Sequence, residues 1–224
     1  MRQVFQEIPS TNERLRLQNP NLWDSIIAFE QHQGRGRRGN TWVSPKGGFY
    51  FSICSPQHKL LPLIAGLSSK LSLEFFHQFN VSLKWPNDLI LDGKKLGGIL
   101  CESHNDFAIV GVGINIEKTP DVSSSISLND VDASINLLDL ADKFENILQR
   151  ELMNFDSNDF FISYRKAEIL LGMNVRWNNS EGLVIDITEN GELMVEENNN
   201  IITLNHILDI LSPRSPATNE EFSK

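Results

Sequence analysis

Three short segments combine charged side chains with glycine in patterns suited to anion chemistry. The first is Gly34-Arg35-Gly36-Arg37-Arg38-Gly39, three arginines in six residues of a chain whose formal net charge is -9. Guanidinium forks match phosphate and carboxylate oxygens, and bare glycine backbone lets such an anion reach the N–H groups. One arginine about 4 Å from a phosphate charge gains about 4 kcal/mol at an effective dielectric of about 20. Without a counter-charge the arginines repel and the glycines favour disorder, so this segment is expected to order around an anion. The second is Lys84-Trp85-Pro86-Asn87-Asp88. Its rigid Trp-Pro turn aims an amide and a carboxylate, and the carboxylate could accept a proton or hold Mg2+. The third, Gly93-Lys94-Lys95-Leu96-Gly97-Gly98, places Lys95 at the exit of a hairpin turn beside two glycines that admit a ligand or another backbone. It is not a phosphate loop of the G-x-x-x-x-G-K-[ST] type, which occurs nowhere in the chain.

Two weaker segments join them. Ser10-Thr11-Asn12-Glu13 reads as a capping box, and the N–H groups of the helix it starts would also suit an oxygen ligand. Gly111-Val112-Gly113-Ile114-Asn115 closes an apolar run on a polar side chain. Taken singly, each segment reads equally well as ordinary structure: a solvated basic loop, an Asn-Asp turn, a lysine hairpin, a helix cap, a strand end.

The elements that must position these residues follow from periodicity. Ser25 to Phe29, Phe49 to Cys54, Val81 to Trp85 and Phe107 to Ile114 read as strands. Leu89 to Leu91 and Leu96 to Leu100 flank Asp92-Gly93, a type I′ hairpin signal. Pro62 opens a helix whose apolar face is Leu63, Ile64, Leu67, Leu71 and Phe75. Asp121 to Ser127 reads as a serine-rich loop. Leu137, Ala141, Phe144, Leu148 and Leu152 form a second helical stripe, and a shorter helix is expected around Phe160 to Leu171. From Val175 the pattern changes to short strands, Val175 to Trp177, Leu183 to Ile187, Leu193 to Glu196 and Ile201 to Leu204, with a hairpin turn at Asn190-Gly191. The domain expectation is therefore a catalytic-type unit over 1–171, a small β unit over 172–212, and a disordered tail over 213–224.

The chain has 224 residues, 40% hydrophobic and 22% charged, enough for a sizeable core. Its acidity opposes general binding to nucleic acid or an anionic membrane. No run approaches the about 18 apolar residues of a membrane span, and the N-terminus lacks the apolar stretch of a secretory signal. Two cysteines and five scattered histidines give no disulfide framework and no zinc spacing, so free cytoplasmic thiols are expected.

In order and spacing, Ser-Thr-Asn, Gln31-x-x-Gly-Arg-Gly-Arg-Arg-Gly, Lys-Trp-Pro-Asn-Asp, Lys-Leu-Gly-Gly-Ile-Leu and Gly-x-Gly-Ile-Asn together resemble the biotin protein ligases over residues 8 to 116. The likeness continues weakly into Gly172 to Leu211, where that family has a small SH3-like barrel. The fold class it implies is α+β, a mixed β-sheet flanked by helices of the class II synthetase-like biotin/lipoate ligase type, with the SH3-like β unit at the C-terminus. The chemistry it implies uses ATP and Mg2+. Biotin is activated to biotinyl-5′-AMP and passed to a lysine of a biotin carboxyl carrier protein, or carrier domain of an acetyl-CoA or propionyl-CoA carboxylase.

Carried over by motif, Ser10, Thr11, Asn12, Gln31, Gly34, Arg35, Gly36, Arg37, Lys95, Gly97 and Gly98 would border biotin. Arg35, Arg37, Trp42, Lys84, Asn87, Lys95 and Asn115 would contact ATP or the adenylate. Lys95, Arg37 and Asp88 would act in the chemistry, Asp88 by orienting or deprotonating the incoming lysine. Mg2+ would be held through the ATP phosphates. The Ser-Thr-Asn segment begins at residue 10, so a ligase without an N-terminal DNA-binding domain is expected, cytoplasmic and either monomeric or weakly dimeric. Gly97 stands where some relatives have alanine. Two other readings compete. One is a lipoate ligase or octanoyl transferase of the same fold, the latter using Cys101 as an acyl-thioester nucleophile. The other makes the Arg-Gly loop an RNA contact, with affinity that falls steeply in salt.

Overall fold

The structure is a computed structural model that describes residues 1–78, 80–119, 124–207 and 209–213. The chain divides into two compact units, residues 1–167 and the part from Glu168 onward. The first is built on a seven-stranded mixed sheet. Its strands are β1 (Arg2–Phe5), β2 (Ser25–Ala28), β3 (Phe49–Ser55), β4 (Ser82–Lys84), β5 (Asp88–Leu91), β6 (Lys94–Ser103) and β7 (Ala108–Ile114). Their order is β1-β2-β3-β7-β6-β5-β4, and only the β1–β2 pair is parallel. β1 has no counterpart in the sequence reading, because four residues opening on Arg2 carry little strand signal. The β5–β6 turn matches expectation: Asp92 (φ 48°) and Gly93 (φ 73°) are both left-handed.

Four helices, α1 (Thr11–Leu17), α2 (Leu61–Phe76), α3 (Leu137–Met153) and α4 (Ser157–Ala167), flank this sheet. α1 covers one face, its Leu15 packed with Ile8, Ile26, Ala28, Cys54 and Ile109. On the other face Phe144 of α3 meets Phe51 of β3 edge to face at 5.8 Å. α3 starts where the Asn136 side chain accepts the N–H groups of Leu138 and Asp139. α2 departs from its predicted stripe. Leu63, Ile64 and Leu67 are buried, but the face continues through Ala65, Ser69, Ser72 and Leu73, which turns Phe75 outward to 63% exposure. Ser69 and Ser72 are tolerated inside because each hydroxyl donates to a carbonyl one turn back, of Ala65 and Ser68, at 2.8 and 2.6 Å.

The second unit is a five-stranded antiparallel sheet, as expected of an SH3-like β unit. Its strands are β8 (Met173–Trp177), β9 (Ser180–Ile187), β10 (Leu193–Glu197), β11 (Asn200–Leu204) and β12 (Asp209–Pro213), in the order β11-β10-β9-β8-β12. Val175, Trp177, Val184, Ile187, Leu193 and Val195 form its interior. Glu189-Asn190-Gly191, closed by Thr188 N–H on the Glu192 carbonyl at 2.8 Å, joins β9 to β10, and a two-residue turn, Asn198-Asn199 with φ 50° and 64°, joins β10 to β11. The expected disordered tail lies outside the described residues beyond Pro213.

Candidate active site

The first turn of α1 abuts β3 and β7, and its polar side chains are buried. Ser10 caps the helix by accepting the Glu13 N–H at 3.5 Å. Ser52, on β3, lies between the next two residues, 2.7 Å from Thr11 Oγ1 and 2.6 Å from Asn12 Oδ1. An amide oxygen carries no proton, so Ser52 donates to Asn12 and accepts from Thr11. Asn12 Nδ2 donates to Glu102 Oε2 at 2.8 Å and to the Leu100 carbonyl at 3.4 Å. Asn12 is thus committed to the wall, with both donors engaged and 4% exposure, which narrows the ligand-bordering role expected of it. Gln31 is oriented from two sides. Its Oε1 accepts the Thr11 N–H at 2.8 Å, and its Nε2 donates to Ser44 Oγ at 3.0 Å, leaving one amide hydrogen for a ligand.

The Arg-Gly segment is folded on itself. Trp42 N–H donates to the Gly34 carbonyl at 2.9 Å and Gly36 N–H to the Asn40 carbonyl at 2.7 Å, making a small hairpin with a 3₁₀ turn at Arg37–Gly39. These backbone bonds supply the order that the arginines alone would oppose. Arg35 Nη1 lies 3.1 Å from Glu13 Oε2, and Arg37 Nη1 donates to Asn87 Oδ1 at 3.1 Å. Burial, with Arg38 alongside, pulls the Arg37 pKa below its usual value. Arg37 remains a cation at neutral pH. The Asn87 amide is fixed from its other end, where Nδ2 donates to the Ile99 carbonyl at 2.9 Å.

Strand register decides which residues share this face. Lys84 pairs with Asp88, Asp88 with Gly98, Gly98 with Gly113, and Leu100 with Gly111, which pairs with Ser52. A bulge in β6 around Leu96 resets the alternation, so Lys95 and Gly98 share the site face while Gly97 turns to the opposite one. A Cβ on Gly97 would meet the Gly113 carbonyl, Leu89 and Ile114, so this glycine presents only its backbone towards the site face. Gly111 and Gly113 are close-approach glycines. A Cβ on the first would lie 2.2 Å from Asn12 Oδ1, and on the second 2.6 Å from Trp42 Nε1.

The sheet's far end holds the remaining charge. Lys95 Nζ is 2.7 Å from Asp88 Oδ1 and 5.4 Å from the centre of the Trp42 ring. The serine-rich stretch braces it: Lys95 N–H donates to the Ser124 carbonyl at 2.8 Å and Ile126 N–H to the Lys95 carbonyl at 3.0 Å. Residues 120–123 of that stretch lie outside the described ones. Asn115 is buried and its Nδ2 donates to the Ile126 carbonyl at 3.1 Å. Asn115 Oδ1 and Trp42 Nε1 are buried without a protein partner, one acceptor and one donor at the end of the site where a base was expected. Cys101 pairs with Val110, on the face opposite Gly98 and Gly111. Burial pushes its thiol pKa far up, outweighing the pull of Arg37, so it keeps its proton at neutral pH.

The structure thus brings Thr11, Gln31, Gly34, Arg37, Trp42, Asn87, Asp88, Lys95, Gly98 and Asn115 onto one side of the sheet. Residues 4–117, about half the chain, match the model of the biotin/lipoate A/B protein ligase family. The chain belongs to the biotin/lipoate A/B protein ligase family. Within it, biotin–protein ligase 2 of Arabidopsis thaliana is 32% identical over 193 residues, 78% of this chain and 56% of that protein. The chain spans about half the length of the curated relatives it matches. Among solved structures, the biotin protein ligase of Aquifex aeolicus in complex with biotin and ATP superposes with a TM-score of 0.83. It is 28% identical, over 91% of this chain and 94% of that one. The Leishmania major enzyme with biotinyl-5-AMP gives 0.70 at 27% identity, over 92% and 98%.

Sequence reasoning missed Ser52, Ser44 and Glu102 as members of this family site. Ser52 had a legible signal: a lone hydroxyl within Phe-Tyr-Phe-Ser-Ile-Cys must find a partner if the strand is buried. Ser44 and Glu102 had none, because only the fold brings them to Gln31 and Asn12.

Proposed function

We propose that the chain is a biotin protein ligase, activating biotin with ATP and transferring it to a lysine of a carboxylase carrier protein. The observation that carries this reading is the Lys95–Asp88 pair beneath Trp42, next to Arg37–Asn87, on a sheet face floored by glycine. In the first step a biotin carboxylate oxygen bonds to the α-phosphorus and the bond to pyrophosphate breaks. Both reactants are anionic, so cations must collect where charge builds. Arg37, Lys95 and Arg35 surround that place. Holding the reactants together can contribute up to about 7–11 kcal/mol. In the second step a carrier amine bonds to the acyl carbon, AMP leaves, and the amine proton passes to a base. A free lysine has a pKa of about 10.4, so this base is needed at neutral pH.

Asp88 fits that role once Lys95 turns to the phosphate, which frees the carboxylate from its 2.7 Å contact. The adenine ring would lie by Trp42, with Asn115 Oδ1 and Trp42 Nε1 gaining partners. Mg2+ would supply charge neutralisation to the phosphates. Among the described residues no group of three His, Cys, Asp or Glu side chains could hold a metal ion. The ion is left to the phosphate oxygens, and every step above is carried by protein groups. Among the described residues no helix is long and apolar enough to cross a membrane, and the two thiols are free, which supports a cytoplasmic setting for this reading.

Incubation with biotin, MgATP and a carrier domain should add one biotinyl group by intact mass. Parallel reactions with lipoate and octanoate should leave the carrier unmodified. Transfer of lipoate or octanoate in place of biotin would overturn the assignment.

A further inference from the structure

We propose that Glu102 is a positioning residue of this site, one that sets the direction of its hydrogen-bond chain and holds Arg35 of the Arg-Gly hairpin. The inference deepens the ligase reading and rests on it. Glu102 stands on β6, on the face of Gly98 and Leu100, with its side chain 27% exposed. Oε2 accepts from Asn12 Nδ2 at 2.8 Å, and Oε1 lies 3.9 Å from Arg35 Nη1. Arg35 is also 3.1 Å from Glu13 Oε2, and Arg16 holds Glu13 in turn through Nε at 3.1 Å and through Nη2. The result is one line of alternating partners, Arg16, Glu13, Arg35, Glu102 and Asn12. With Pro9, Ser10 and Gln33, these charged residues line an open cleft of about 570 Å³.

A carboxylate can only accept. Facing Glu102, the Asn12 amide must present its nitrogen there and its oxygen to Ser52. That oxygen takes the Ser52 proton, so Ser52 Oγ must accept from the Thr11 hydroxyl. The Thr11 N–H orients Gln31 Oε1 whichever way that hydroxyl points, and the hydroxyl itself lies 3.1 Å from the same oxygen. Reversing Asn12 end for end would set its oxygen against the Glu102 carboxylate and withdraw the acceptor from Ser52. Glu102 therefore determines whether the Thr11 hydroxyl proton points to Ser52 or to Gln31 Oε1, and so how many hydrogen bonds that oxygen accepts. Its other oxygen, with Glu13, restrains a guanidinium that would otherwise sample many rotamers.

Glu102→Ala and Glu102→Gln test this by biotin-dependent pyrophosphate exchange. Glu102→Ala should raise the biotin KM about tenfold or more, with kcat and ATP KM changing by no more than about threefold. Glu102→Gln can still accept from Asn12 and should recover most of that loss. A fall in melting temperature with an unmoved biotin KM in both variants would mean a structural role only and would overturn the proposal. A second readout needs no ligand. In 15N-resolved spectra the Asn12 side-chain amide should lose exchange protection in Glu102→Ala, and the Gln31 amide should shift; an unshifted Gln31 amide overturns the proposal. If Glu102→Ala does not fold, Glu102→Ser, too short to reach Asn12, supplies the same spectra. Wild-type protein without biotin-dependent exchange would sink the ligase reading, and the amide spectra would then decide the role of Glu102 alone.

Discussion

A methyl group at position 113 would collide with the Trp42 indole, since a Cβ there lies 2.6 Å from Nε1. Gly113→Ala should therefore displace the ring and raise the ATP KM by about tenfold to a hundredfold, measured by pyrophosphate exchange. Calorimetric biotin affinity without nucleotide should move far less. Arg37 is proposed to make the opposite kind of contribution, holding what has already formed. Its bond to Asn87 ties the loop to the Trp-Pro turn, and Arg37→Gly should release biotinyl-AMP into solution, where it labels bystander lysines. A variant that keeps the adenylate as long as wild type would refute that role. Cys101→Ser should retain transfer activity, because the thiol is protonated and shares the face of Val110. Loss of turnover in a folded Cys101→Ser protein would instead favour an acyl-thioester route.

Elements decide how well such residues are held. Phe144 of α3 braces Phe51, the residue preceding Ser52, from behind the sheet. Phe144→Ala should cost about 3–5 kcal/mol by denaturant unfolding. Asn136→Ala, which removes only the α3 cap, should cost about 1 kcal/mol and leave the exchange kinetics unchanged. The central strands were legible because period and composition agree there, as in Phe49 to Ser55, and so was the Asp92-Gly93 turn. The five site motifs were legible because their residues lie close together in sequence. What escaped depends on contacts distant in sequence. The β6 bulge turns Gly97 so that only its backbone meets the site face, and no local pattern announces it. Helix periodicity could not tell Phe75 from Leu73, because which side of α2 meets the sheet is settled by packing. The stretch around Ser124 to Ile126 is loop as read, but its isolated bridge to Lys95 has no local signal.

Charge is divided unevenly over the whole molecule. Residues 168–224 hold ten of the 29 acidic side chains and only three of the 20 basic ones. Taken by itself the first unit is therefore close to neutral, so its own net charge opposes an approaching polyanion little. Ligand occupancy should appear as stability. At a hundredfold excess over Kd, a site that binds only folded protein adds about 2.7 kcal/mol, or about 5–10 °C for a chain of this size. Scanning fluorimetry should show that rise with biotin plus ATP, and a flat response would contradict the proposed site. The glycine floor has a further consequence, for redesign. Gly98, Gly111 and Gly113 carry Trp42 and Asn12 on bare backbone, so a larger residue there would displace those side chains before it altered the room for a ligand. Libraries seeking acceptance of bulkier acyl analogues should enrich changes at Leu100 or along the arginine hairpin, and leave the three glycines untouched.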